Sequence, residues 1–219
     1  MYSYHGCEFR ADTVMGHRMN CDIYESDEIS FINKMDIKDC TVLELGGCLG
    51  VLSTILNKQL TNTRNHVVIE PNPELIDILT YNKLHNNCNF KIENCILSKS
   101  GSHTTFTCYD KVVAGSAHRL DTFEKNPRNY EIKNKTLGEF DQIFDVIVMD
   151  IEGGELQFLY ENYEYIKNNV KYVMVEIHEH MMFKNFERMC IDVLENLCAM
   201  KLEEKVGCTF LFKRLPPAL

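Results

Sequence analysis

Four short apolar segments do most to limit what this 219-residue chain can fold into: "TVLEL" from Thr41, "HVVIE" from His66, "FDVIVMD" from Phe144 and "KYVMVEIH" from Lys171. Each is nearly continuous in Val, Ile, Leu and Met, the pattern of a strand buried on both faces. Between them apolar residues recur at helical spacing: Val51, Leu52, Ile55 and Leu56 after the first segment, and Leu156, Leu159, Tyr160, Tyr163 and Ile166 after the third. Strands alternating with helices imply an α/β fold, a mostly parallel, doubly wound sheet covered on both faces.

The remaining elements follow the same logic. "NFKIENCILS" reads as a further strand, and a helix should begin near Asn72, which can cap it, with Pro73 at the first position and Glu74 against its positive end. A helix carrying Phe186, Met189, Cys190, Val193, Leu194 and Leu197 leads into "MKLEEKV" and "TFLFKRL", which turn at Gly207 as an antiparallel C-terminal hairpin. The domain spans 41–219 with an insertion at about 99–142, where "HTTFTCYD" resembles a strand and "EKNPRNYEIKNKTLG" a polar loop. Residues 1–40 are polar and carry no linker composition, so they read as an N-terminal extension or lid. "MGHRMNCDIYESDE" suits a flap that excludes water, or equally a simple cover for the sheet.

Charge and cysteine usage narrow the partners. A net charge of -9 argues against a nucleic-acid partner bound through many phosphates. The 10 cysteines are scattered and form no C-x-x-C pair, so they read as reduced, mostly buried thiols rather than a disulfide framework or a zinc site. No basic stretch is followed by a long apolar core, and no run approaches the roughly 20 apolar residues of a membrane helix. A cytoplasmic protein without a membrane partner is expected.

In a doubly wound sheet the ligand crevice lies at the carboxyl ends of the strands, where strand order reverses. The loop after the first strand is "ELGGCLG", in which Gly46, Gly47 and Gly50 allow close approach of backbone to a ligand. The second strand ends at Glu70, placed to accept hydrogen bonds from both hydroxyls of a ribose. A dinucleotide and S-adenosylmethionine both suit such a pair. A pyrophosphate asks for G-x-G-x-x-G, whereas "GGCLGV" breaks that spacing, and Glu44 at the loop's mouth would repel phosphate but suit an ammonium or sulfonium charge. The electrostatics therefore favour S-adenosylmethionine. Each feature taken singly is also what a tight strand-to-helix turn and a solvated strand end would show.

The motifs "VLELGGCLG", "VVIEPNP", "FDVIVMDIEGGELQFL" and "YVMVEIH", in this order over about Thr41 to His178, resemble the FkbM family of class I S-adenosylmethionine-dependent methyltransferases. The resemblance implies a Rossmann-like seven-stranded sheet with an antiparallel last strand. It also implies methyl transfer to a hydroxyl, on a carbohydrate or a similar small metabolite. Cys48 and Glu44 depart from the Asn and Asp usual at those positions in the family.

Within "DIEGGE" the acids crowd around two glycines. Glu155 suits the positive end of the next helix, but Asp150 ends an apolar strand and should face the crevice. Transfer to a hydroxyl needs the acceptor aligned and its proton removed, tasks open to Asp150, Glu152 and His178, the last as a neutral imidazole. Cofactor contacts are expected from Glu44, Gly46, Gly47, Gly50, Glu70 and Asp150, with Asn94 meeting the adenine. No ligand spacing demands a metal, although Asp150, Glu176 and His178 can form a mixed oxygen and imidazole site in a metal-assisted O-methyltransferase. A non-catalytic binding protein that keeps the fold is the alternative of a different class.

Overall fold

The chain opens with a short hairpin, β1 (Tyr2–Tyr4) and β2 (Cys7–Phe9), then two helices, α1 (Thr13–Asn20) and α2 (Ser26–Ile32). The computed structural model describes residues 1–108, 115–116, 127–179 and 182–215. Next come β3 (Val42–Leu45), α3 (Val51–Asn57), β4 (His66–Ile69), α4 (Ile76–His85) and β5 (Lys91–Glu93). A second region holds β6 (Ile96–Leu97), β7 (His103–Cys108), β8 (Gly115–Ser116) and β9 (Arg128–Lys135). The chain then returns to the main sheet with β10 (Val146–Met149), α5 (Glu155–Asn169), β11 (Tyr172–Glu176), α6 (Phe186–Asp192), β12 (Met200–Val206) and β13 (Thr209–Arg214).

The main sheet has seven strands in the order β12-β13-β11-β10-β3-β4-β5. From β11 through β5 neighbouring strands pair in parallel, and β13 runs antiparallel to both β11 and β12, as the terminal hairpin requires. Every side chain of β3, β4 and β10 is buried, which explains their continuous apolar character. Alternation sorts them between two layers. Leu43, Leu45, Ile147, Met149, Val173 and Val175 pack with α5 and α6. Val42, Val146, Val148 and Met174 face α3 and the N-terminal helices, meeting Leu52, Leu56, Phe31 and Ile32. Strand order reverses between β3 and β10, so their carboxyl ends diverge into a crevice.

The first residues belong to this second layer, because Phe9, Phe31 and Ile32 are completely buried in it. Two asparagines on α4 hold the hairpin in place. Asn82 accepts the Arg10 N–H at 2.7 Å and donates to the carbonyls of Arg10 at 3.0 Å and Leu49 at 2.8 Å. One turn later Asn86 accepts the Glu8 N–H at 2.9 Å and donates to its carbonyl at 2.7 Å. Side chains four apart on the helix thus meet residues two apart on the strand, like the rung of a ladder.

Three local expectations need correction. "EKNPRNYEIKNKTLG" is not simply a polar loop: its Arg128–Lys135 stretch pairs antiparallel with β7 in a four-stranded sheet of order β6-β9-β7-β8. Tyr130, Ile132 and the buried Asn134 alternate inward there, a stripe too polar to read as a strand. Residues 109–114 and 117–126 of the insertion lie outside the described residues. Helix α4 starts at Ile76, since Asn72 accepts the Glu74 N–H at 3.0 Å in a turn ahead of it. Helix α5 is rotated from the expected stripe: Tyr160 is exposed while Glu155, Phe158 and Asn162 face inward.

Because Asn82 satisfies three backbone groups, Asn82→Ala is expected to cost about 2 to 3 kcal/mol in urea unfolding. A loss below about 0.5 kcal/mol would show that this clamp does not hold the hairpin.

Candidate active site

Two cavities meet where β3 and β10 diverge. The first, of about 330 Å³, is strongly acidic and is lined by Glu70 after β4, Asp150 and Glu152 after β10, and Glu176 and His178 at the end of β11. The second, also of about 330 Å³, is mainly apolar and is lined by Ile69, Cys95, Ile96, Leu97 and Phe158. Gly46, Pro71, Phe106 and Ile151 border both, so a ligand with a polar and an apolar half can lie across the sheet edge.

Gly46 is required by its neighbours. Its φ is +94°, and a Cβ there would sit 1.8 Å from the carbonyl oxygen of Asp150. The Gly46 and Gly47 N–H groups both donate to the Ile69 carbonyl, at 2.9 and 3.1 Å, turning the loop over the end of β4. Glu70 completes the crossing. Its two carboxylate oxygens accept the N–H groups of Cys48 and Asn72, each at 2.7 Å, and so tie the loops after β3 and β4 together. Each oxygen keeps a lone pair for a further donor. Burial outweighs these amides and pushes the Glu70 carboxyl up to about 7.

The acids after β10 gather around His178, which is 5% exposed. Its Nδ1 lies 3.0 Å from Oε1 of Glu155, a fully buried residue that also accepts the Gly153 N–H at 3.1 Å. Its Nε2 lies 3.6 Å from Asp150 Oδ1, 3.6 Å from Glu176 Oε1 and 4.0 Å from Glu152 Oε2. Burial alone would lower the imidazole's pKa, but the bond to Glu155 and the charges of Asp150, Glu155 and Glu152 outweigh it and raise it to about 10. The surroundings of His178 thus favour the protonated ring over the neutral imidazole expected of a base. Burial, then the charge of Glu176, drives the Asp150 carboxyl well above the ordinary range against the pull of His178. Asp150 Oδ1 is sealed from solvent and has no hydrogen-bond partner.

The Methyltransferase FkbM domain model matches residues 44–203, most of the chain. The chain belongs to the FkbM methyltransferase family. Solved structures share its fold at low identity. A methyltransferase FkbM from Methylobacillus flagellatus KT is 12% identical, with a TM-score of 0.50 over 93% of this chain and 55% of its own. Magnesium protoporphyrin IX methyltransferase from Synechocystis PCC 6803, solved with bound S-adenosylmethionine, is 6% identical, with a TM-score of 0.55 over 95% and 87%. An O-methyltransferase from Bacillus cereus, in complex with S-adenosylhomocysteine, is 12% identical, with a TM-score of 0.51 over 93% and 90%. No curated protein matches the sequence. The cofactor of this FkbM methyltransferase is S-adenosylmethionine. The site fits it: Glu70 offers paired acceptors, Gly46 borders both cavities, and an apolar slot adjoins an anionic cavity.

Not every residue expected at the cofactor lines the two cavities. Glu44 points away from both cavities, because alternation along β3 turns it into the α3 layer. There it is buried, accepting Ser53 Oγ at 2.6 Å and lying 2.9 Å from His66 Nε2. Gly47 and Gly50 serve packing, since Cβ atoms there would approach Val68 and Leu79 within 2.4 and 2.6 Å. Asn94 lines neither cavity; its side-chain amide donates to the carbonyls of Glu70 and Pro71 at 2.8 and 3.0 Å. Its neighbours Cys95 and Ile96 line the apolar slot instead. Sequence reasoning missed Tyr24, Glu25 and Glu28, which enter the acidic cavity from the N-terminal segment. Glu25 holds a left-handed φ of 49° and a buried, unpartnered Oε2, and no motif marks it.

Glu70 makes the apo protein's stability pH-dependent. A carboxyl raised from 4.5 to about 7 binds more protons folded than unfolded, so stability falls as pH rises through that window. The wild type is expected to lose up to roughly 3 kcal/mol between pH 4.5 and 8 relative to Glu70→Gln, measured by thermal unfolding at each pH. Parallel pH profiles would contradict the assignment.

Proposed function

We propose that this methyltransferase moves the methyl group of S-adenosylmethionine to a hydroxyl of a carbohydrate or similar small metabolite. The observation that carries this reading is the cluster of Asp150, Glu152, Glu176 and His178 in the same cavity as Gly46 and Glu70. The cofactor supplies an electrophilic methyl carbon on a good leaving group. The protein is left to position the acceptor and remove its proton. Glu70 and the Gly46 backbone hold the cofactor, and Asp150 spans both tasks from the end of β10.

In this reading Asp150 orients the acceptor hydroxyl and Glu152, 31% exposed in its side chain, takes the proton. The acceptor oxygen forms its new bond to the methyl carbon as the carbon–sulfur bond breaks, and that electron pair remains on sulfur. His178 holds a positive charge between the carboxylates and keeps them from repelling one another apart. Its Glu155 partner sets the ring's orientation.

The acidic rim supports a small or glycan acceptor over a nucleic acid, since Glu25, Asp27 and Glu28 would repel phosphates. Residues 1–40 are read as a lid on a transferase domain formed by 41–219, because Tyr24, Glu25 and Glu28 reach into the cavity. Ten free cysteines and the absence, among the described residues, of a helix able to cross a membrane support a cytoplasmic enzyme.

Methyl transfer from labelled cofactor to an array of hydroxylated sugars and metabolites tests the proposal. Once an acceptor is found, Glu152→Gln is expected to lower kcat about 100-fold or more, with S-adenosylhomocysteine affinity nearly unchanged. An unaltered kcat would remove Glu152 from the chemistry.

A further inference from the structure

We propose that Asp150, Glu176 and His178 form a divalent-cation site on the floor of the acidic cavity. One ligand atom from each lies within 4.8 Å of the others, and all three residues sit at the carboxyl ends of adjacent strands β10 and β11. The His178 Nε2 lies 3.6 Å from both Asp150 Oδ1 and Glu176 Oε1. That separation is longer than an ordinary hydrogen bond. Two adjacent ligands about 2.2 Å from a shared octahedral ion stand ~3.1 Å apart, so a closure of roughly 0.5 Å onto the ion brings these atoms into place.

Three further features point to an ion. Asp150 Oδ1 has no solvent contact and no hydrogen-bond partner, although it faces the cluster. The imidazole is aimed from behind: the fully buried Glu155 binds Nδ1 and turns Nε2 toward Asp150 and Glu176. This carboxylate–histidine arrangement is the usual way a ligating ring is oriented. Glu176 is braced in turn, its Oε1 accepting the Cys208 thiol at 3.1 Å.

Two carboxylates and one imidazole suit Mn²⁺, which accepts both oxygen and nitrogen ligands, better than Mg²⁺ or a thiolate-seeking ion. Resting on the methyl-transfer reading, the ion lies beside the acceptor hydroxyl, lowers its pKa and leaves its proton to Glu152.

Electron paramagnetic resonance of Mn²⁺ titrated into the whole protein, without acceptor, tests the site. One bound Mn²⁺ per chain is expected. Asp150→Asn and Glu176→Gln should each weaken it at least tenfold, while Glu74→Gln, beside Arg128 outside the cavity, leaves it unchanged. A free-ion spectrum up to millimolar Mn²⁺, or binding that both cavity variants retain in full, would overturn the proposal. Calorimetry with S-adenosylhomocysteine on the same samples separates the two readings. Cofactor binding without Mn²⁺ binding sinks the metal site alone, and Mn²⁺ binding without methyl transfer to any acceptor counts against the transferase reading.

Discussion

The close passage of Gly46 against the Asp150 carbonyl governs the rest of the site. Parallel pairing of β3 with β10 brings the two loops side by side, and the missing Cβ lets them cross without separating the strands. The same crossing turns one loop toward Glu70 and the other toward His178, so the Glu70 junction and the acid cluster are products of one contact. Glu70 then fastens the loops with two short bonds to backbone amides. The crevice is rigid because its walls are the ends of fully buried strands.

Charge is the second organising force. The cavity concentrates carboxylates at a depth where burial alone would neutralise them, with His178, oriented by Glu155, among them and Arg18 also on the lining. A cationic sulfonium is attracted to such a place and a phosphate is repelled. Glu25 and Glu28 add to the field from the N-terminal layer.

Much of this was legible in the sequence, for identifiable reasons. Strands β3, β4, β10 and β11 announce themselves because burial on both faces leaves them few polar positions, the paired Glu44 and His66 among them. Glu70 and Asp150 stand out as acids ending such runs. Glu44 misled for the same reason: an acid in an apolar strand can be satisfied by Ser53 and His66, and that pairing depends on how α3 packs. Strand β9 was hidden because its inward residues include Asn134, and α5 was misaligned because Glu155 and Asn162 are buried through partners that periodicity does not see. Glu25 belongs to a segment tied down by tertiary bonds from Tyr4 to the Tyr24 carbonyl and from Thr209 to Glu28, which leave no local signal.

The central claim is that S-adenosylmethionine binds across the β3–β4 crossing through Glu70. Calorimetric titration of the folded protein with S-adenosylhomocysteine, with Glu70→Ala alongside, tests it most directly. Saturable one-to-one binding in the wild type, weakened tenfold or more in the variant, is the predicted result. Absent binding in a well-folded wild type, or equal affinity in the two proteins, would contradict it.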